Sequence, residues 1–290
     1  MITHPTNISD KRLCEAIVSG ALSYHVQPIF DITSQRLIAA EMLARWYDGS
    51  SALVPIDDYL PRLCALEWTA PYCTSLGDAR MQIGQVLWRQ YAINIHINVV
   101  AESLLIEERF DQLTRHLHDT AVPLSALVIE LSEVNLVSTE LKTLEAISER
   151  LTALASSAPG ITIALDDFGV ALNNLDRLRC WEIDCIKFDR RFVQGVEQST
   201  KTQLILRNMR QLADDLGVTV IAEGIETVEE EKALIDLGIR YHQGFLRGAP
   251  IPLLEFQAQF PIADEASSTL LSKRSAIPLL SELTDSLPKA

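Results

Sequence analysis

Seven short apolar stretches of this 290-residue chain each finish in a side chain suited to gripping a divalent cation or a phosphate, at intervals typical of strand-helix units. They are LIAAEML around Glu41, INIHIN ending at Asn98, LVIE ending at Glu130, ITIALDD ending at Asp166 and Asp167, CIKFD with Lys187 and Asp189, VTVIAE ending at Glu223, and YHQG with Gln243. A single acid after a strand is commonly just the N-cap of the next helix, and Asp189 before ArgArgPhe fits that role. A whole series means more, because in a closed barrel of parallel strands the strand ends converge on one rim and furnish the site. The expectation is an α/β chain folded as one barrel, for which about 250 residues is an ordinary size.

Side chains alternate along a strand, so Glu41, Leu43 and Arg45 share a face, as do Asn94, His96 and Asn98, and Cys185, Lys187 and Asp189. Burying that many carboxylates together is prohibitive unless cations neutralise them. Oxygen ligands without cysteine or a histidine pair favour Mg²⁺ or Mn²⁺ over zinc. Two such cations about 3.5–4 Å apart form the arrangement that hydrolyses phosphate esters. Lys187 would then position water and offset charge on phosphorus, and the planar fork of Arg45 suits a phosphate or a guanine edge. The blander alternatives are a hydrogen-bonded interior His96 and a solvated strand-end Lys187.

The formal charge of −14 leaves no basic patch for general nucleic-acid binding. Five cysteines without CxxC spacing indicate neither a disulfide framework nor a zinc cluster, and no run approaches the roughly 18 apolar residues of a membrane span. A soluble, cytoplasmic protein is expected. The elements anticipated downstream are strands at 91–100, 127–131, 161–167, 183–189 and 218–223, and helices at 102–118, 138–156 and 199–216. A further helix opens on the capping-box pair Thr227 and Glu230. Residues 1–9 read as an extension and 10–260 as the barrel. The Ser- and Leu-rich 261–290 reads either as an appendage packing on the barrel or a protein partner, or as a loosely ordered tail.

These motifs resemble those of the EAL-type cyclic di-GMP phosphodiesterases over about residues 10–258. Gln27-Pro28-Ile29 is similar to the family's QPI, Glu41-Met42-Leu43-Ala44-Arg45-Trp46 to EALLRW, and Glu130-Leu131-Ser132-Glu133 to ExTE. Asp166-Asp167-Phe168-Gly169 matches DDFG, Ile186-Lys187-Phe188-Asp189 resembles LKID, Ala222-Glu223-Gly224-Ile225-Glu226-Thr227 resembles AEGVET, and Gln243-Gly244 matches the closing QG. The resemblance implies a TIM-like (β/α)8 barrel of the EAL type with a short C-terminal appendage, and Mg²⁺- or Mn²⁺-dependent hydrolysis of cyclic di-GMP to linear pGpG, with Ca²⁺ inhibitory. It implies that Glu41, Asn98, Glu130 and Asp166 hold one metal and that Asp166 and Asp167 serve the second. Lys187, Glu223 and Glu41 form the catalytic set, with Glu223 also at the metals. Gln27, Arg45 and Gln243 meet the substrate, and Glu226 anchors the loop after the double aspartate. A homodimer is also expected.

That loop departs from the family. Val170-Ala171-Leu172-Asn173-Asn174-Leu175 stands where TGYSSL is usual, which removes a hydroxyl and a glycine beside the metals. The alternative function is accordingly a module that binds cyclic di-GMP or a protein partner without hydrolysing it. Met42, in place of the usual Ala, points away from the face of Glu41 and Arg45 and is expected to matter little.

Overall fold

The computed structural model describes residues 8–49, 52–66, 71–132, 141–169 and 174–262. In chain order these form α1 (Asp10–Val18), β1 (Leu22–Asp31), β2 (Arg36–Trp46), α2 (Ile56–Leu66), α3 (Pro71–Tyr91), β3 (Asn94–Val100), α4 (Glu107–Asp119), β4 (Leu127–Ser132) and α5 (Leu141–Ser157). Then come β5 (Thr162–Phe168), α6 (Asn174–Cys180), β6 (Cys185–Phe188), α7 (Arg190–Val193), α8 (Thr200–Leu216), β7 (Thr219–Ala222), α9 (Val228–Asp236), β8 (Tyr241–His242) and α10 (Leu253–Gln259). The eight strands close into one barrel in sequence order.

The barrel is the TIM-like α/β fold expected, with one correction to its strand directions. Strand β1 runs antiparallel to both β2 and β8, while β2 to β8 are parallel to one another. The cause is the link between β1 and β2, a turn at 32–35 with Gln35 at φ 55°. So short a link can make a hairpin but not the crossover that parallel neighbours need.

Boundaries also moved. The strand expected from 91 begins at Asn94, because α3 continues to Tyr91 and Ala92 at φ 50° ends it. The helix expected over 102–118 is a 3₁₀ turn, Ala101–Leu105, followed by α4. The extended Ile106 separates them, and Ser103 Oγ bonds back to Val100 O at 2.5 Å. Other helix starts follow local rules: Ser9 and Ser199 cap α1 and α8, and the Thr227–Glu230 box opens α9. Among the described residues no helix is long and apolar enough to cross a membrane.

The barrel interior is layered, and the layering creates the site. Ile29, Ala39, Val128, Ala164, Cys185, Ile221 and Tyr241 pack into one apolar layer. With a strand period of two, the next inward residue on six of the seven parallel strands, all but β3, is Glu41, Glu130, Asp166, Lys187, Glu223 or Gln243. On the reversed β1 the count runs backwards from Ile29 and gives Gln27. One apolar ring therefore fixes a polar ring directly above it. Outward-facing residues such as Met42, Ile97, Ile129 and Phe188 join the larger core beneath the helices.

Candidate active site

Lys187 stands at the centre of the polar ring. Its Nζ lies 3.0 Å from Glu41 Oε2, 2.7 Å from Glu130 Oε1 and 3.9 Å from Asp166 Oδ1, and it contacts Glu223 Oε1. At 1% exposure it is no solvated strand end. Glu41 is further gripped by Asn98 Nδ2 at 2.8 Å and Gln243 Nε2 at 2.7 Å. His96 Nδ1 is 2.6 Å from Glu130 Oε1, which also accepts from Lys187, so His96 is a hydrogen-bonded interior residue.

The adjacent aspartates reach the same place through a break in the ladder. The pairing of β5 with β6 shifts register between Leu165 and Phe168, and Asp167 takes φ 51° with its amide bonded to Asp166 Oδ1 at 2.9 Å. As a result Asp166, Asp167 and Glu223 present oxygens that all lie within 4.8 Å of one another. The end of β5 is thus a bulge.

One ammonium faces five carboxylates, and the protonation equilibria record the imbalance. Burial pushes Glu130 and Glu223 well above the usual carboxylate range despite the pull of Lys187, and it raises Asp166 too. Asp167 is pushed up to about 7 by burial, by the charge of Asp166 and by a shared hydrogen bond with Asp189. For Glu41 burial also opposes ionisation, but Lys187, Gln243 and Asn98 outweigh it and bring the carboxyl down to about 2. Burial and the neighbouring ammonium lower His96 to about 3, so it adds no charge. Burial opposes the ammonium of Lys187, but Glu130, Glu223 and Glu41 hold its pKa well above the ordinary value.

This donor set fits hard dications. It is all oxygen, with Glu130 Oε2 buried and lacking a hydrogen-bond partner. The carboxylates crowd together well beyond what Lys187 neutralises.

The remaining expected residues are placed less uniformly. Gln27 and Gln243 are buried inside the ring, where Gln243 Nε2 donates to Gln27 Oε1 at 3.1 Å and Gln27 Nε2 donates to Gly248 O at 3.1 Å. Arg45 is half-buried four residues past Glu41, on the face that the acid occupies, and its Nη1 bonds Ala44 O at 2.8 Å. Glu226 is exposed and accepts from Gln194 at 3.4 Å. The segment it was expected to anchor, 170–173, lies outside the described residues, as do Glu133 and 263–290. Asp189 caps α7, accepting from Arg191 N at 2.8 Å.

Beside the ring opens a cleft of about 250 Å³. Glu41, Asn98, Asp166 and Asp167 line one side, and Ile56, Leu60 and Leu63 of α2 with Tyr24, Leu43 and Arg80 line the rest. The α2 wall and Arg80 were not anticipated. Arg80 sits mid-helix in α3 yet is 3% exposed, with its guanidinium over the Tyr24 ring, and no strand-end pattern points to it.

The glycines of the two late motifs have steric causes. A Cβ on Gly244 would lie 2.1 Å from Ile225 O and 2.3 Å from Ile225 N, and Gly224, at φ 70°, would meet Arg190 Cβ at 2.3 Å. Backbone cannot yield as a side-chain tip can. Gly244→Ala should therefore cost about 3 kcal/mol or more, displace Gln243, and appear as a lower thermal midpoint with weakened activity. An unchanged midpoint would show that this approach is not tight.

The family model described as EAL domain matches residues 10–250. An uncharacterized protein of Azorhizobium caulinodans is 31% identical over 245 residues, 81% of this chain and 32% of that protein. The cyclic di-GMP phosphodiesterase RocR of Pseudomonas aeruginosa is 29% identical over 246 residues, 82% of this chain and 59% of its own. The chain thus spans less than two thirds of these two relatives. Among solved structures, an EAL domain protein from Listeria monocytogenes superposes with TM-score 0.74 at 25% identity, covering 89% of this chain and all of the other. The PaMucR phosphodiesterase in complex with c-di-GMP gives TM-score 0.71 at 26% identity, over 85% and 98% of the two chains.

Proposed function

Since the chain belongs to the EAL domain family, we propose that it hydrolyses cyclic di-GMP to linear 5′-pGpG. The observation that carries the reading is the ring of four carboxylates closed around Lys187 at one end of the barrel, with Asp167 beside Asp166 and Glu223, next to a cleft open to substrate. The names of RocR and PaMucR support the same substrate.

Glu41, Asn98, Glu130, Asp166, Asp167 and Glu223 would hold two Mg²⁺ or Mn²⁺ ions, which supply positive charge against the phosphodiester oxygens and lower the pKa of water. The chain's own groups do the rest. Lys187, fixed by buried carboxylates, brings its ammonium charge to bear on the attacking water and on charge gathering on the phosphoryl oxygens. Gln243 and Asn98 keep Glu41 ionised and oriented. Arg45 and Gln27 meet the dinucleotide, and Glu226 steadies the loop beyond the double aspartate. Water adds to phosphorus as the P–O3′ bond breaks, leaving a 5′-phosphate on the opened dinucleotide.

The test is chromatography of cyclic di-GMP incubated with purified protein in Mg²⁺, Mn²⁺ or Ca²⁺. Formation of pGpG in the first two and its suppression by Ca²⁺ are expected. Calorimetric binding in Ca²⁺ with no product in Mn²⁺ would instead favour a receptor, as the Val170–Leu175 departure suggests.

A further inference from the structure

We propose that Arg247 is a positioning residue for this reaction. It clamps the segment that closes the barrel between β8 and β1 and so sets Gln27 and Gln243 against Glu41. The proposal rests on the phosphodiesterase reading above.

The closing seam is short of ladder. Strand β8 contributes two residue pairs to β7 and two to β1. The chain after it, 244–251, turns along β1 instead of continuing the sheet. Ile251 exchanges backbone bonds with Val26 at 2.7 and 3.1 Å, and Gly248 lies so close to β1 that a Cβ there would stand 2.6 Å from Pro28 Cγ.

Within this segment Arg247 uses its whole fork. Nε and Nη2 each meet a Glu231 oxygen of α9 at 2.7 Å, and Nη1 donates to Gln35 Oε1 of the β1–β2 turn at 3.0 Å. Glu231 is buried, so the pair is a charge-assisted bidentate contact and not a surface bridge. Arg247 also bonds through its amide to Gly244 O at 3.1 Å. One side chain therefore ties α9 and the hairpin turn to the closing segment.

From there a continuous chain of hydrogen bonds runs into the ring. The next residue, Gly248, gives its carbonyl to Gln27 Nε2 at 3.1 Å. Gln27 Oε1 accepts from Gln243 Nε2 at 3.1 Å, and the same Nε2 donates to Glu41 Oε2 at 2.7 Å. If the clamp opens, the Gly248 carbonyl drifts and Gln27 loses the partner that orients its amide. Two side chains assigned to substrate then lose their alignment, while Glu41 retains Asn98 and Lys187 as donors and the other carboxylates keep their direct contacts. The effect should fall on substrate binding more than on turnover.

The experiment compares Arg247→Ala, the isosteric Glu231→Gln and their double variant with a control at the same seam, Arg240→Ala. The control breaks the Arg240–Asp31 pair (2.6 and 2.8 Å) without touching the glutamine chain. The readouts are KM and kcat for cyclic di-GMP in Mn²⁺, calorimetric affinity for cyclic di-GMP in Ca²⁺, and thermal midpoint. Arg247→Ala and Glu231→Gln should raise KM and weaken affinity about tenfold with kcat changed less than about threefold, and the double variant should be no worse than either. Arg240→Ala should lower the midpoint and leave KM in place. Should Arg247→Ala fail to fold, Glu231→Gln carries the comparison. Unchanged KM and affinity in the clamp variants, or an equal rise in the control, overturns the positioning role. A wild-type chain that neither binds nor cleaves cyclic di-GMP is a separate result, which overturns the functional reading on which this one stands.

Discussion

Lys187→Met should abolish pGpG formation, by about a thousandfold or more, and should also make the metal-free protein markedly less stable. Methionine fills the same space without charge, so the loss is electrostatic rather than a cavity. In the wild type Lys187 bridges Glu41, Glu130 and Glu223 at under 2% exposure, and the five acids have no other cation at contact distance among the described residues. Removing one partner of a buried pair costs about 3–5 kcal/mol, because the charge left behind remains buried. Here part of that cost is relieved, since Glu130 and Glu223 already favour their protonated forms. A drop of about 5–10 °C in thermal midpoint is therefore expected for the metal-free variant. Mn²⁺ should restore more stability to the variant than it adds to the wild type, because a dication then supplies the missing charge. The measurements are product chromatography and melting curves with and without Mn²⁺. Turnover within about tenfold of wild type would remove Lys187 from the mechanism.

The part of the site legible in the sequence is the part that obeys a period. Ala39 and Glu41, Val128 and Glu130, Ala164 and Asp166, Cys185 and Lys187, Ile221 and Glu223, and Tyr241 and Gln243 each repeat one motif, an interior-filling side chain and then a polar one two positions on. Strand geometry turns that spacing into a ring without further information, so the polar residues could be named before any fold was seen. What the period does not carry was not legible. The reversal of β1 depends on the length of one turn. The burial of Arg80 depends on α3 passing over Tyr24, a contact between elements far apart in the chain. Tyr91 has the apolar character of a strand start, and only Ala92 at φ 50° shows that the helix ends there. Arg247 went unnoticed for the same reason: nothing near it in sequence announces that Glu231 and Gln35 will meet around its guanidinium.

Glu41→Gln is the sharper test of the ring itself, because it changes a charge and almost no volume. The carboxylate accepts from three donors. Oε1 takes Asn98, and Oε2 takes both Gln243 and Lys187. A glutamine must turn its NH₂ toward one of these positions. Facing Gln243 and Lys187 would set three donors against each other, so the amide should face Asn98, which can answer by flipping its own amide. The repair keeps the fold, and its consequence is chemical. The site loses the one carboxylate that is ionised down to a pH of about 2, and the flip turns the Asn98 oxygen toward the substituted side chain and away from any cation. Losing a charged contact of this kind is worth about 2–4 kcal/mol, so turnover should fall roughly 30- to 1000-fold and the Mn²⁺ concentration for half-maximal activity should rise at least about tenfold. Adding Asn98→Asp supplies an acceptor for the new NH₂ and returns the lost charge, so the double variant should regain part of the metal affinity. Wild-type turnover and metal response in Glu41→Gln would mean that the dications, and the chemistry with them, sit elsewhere.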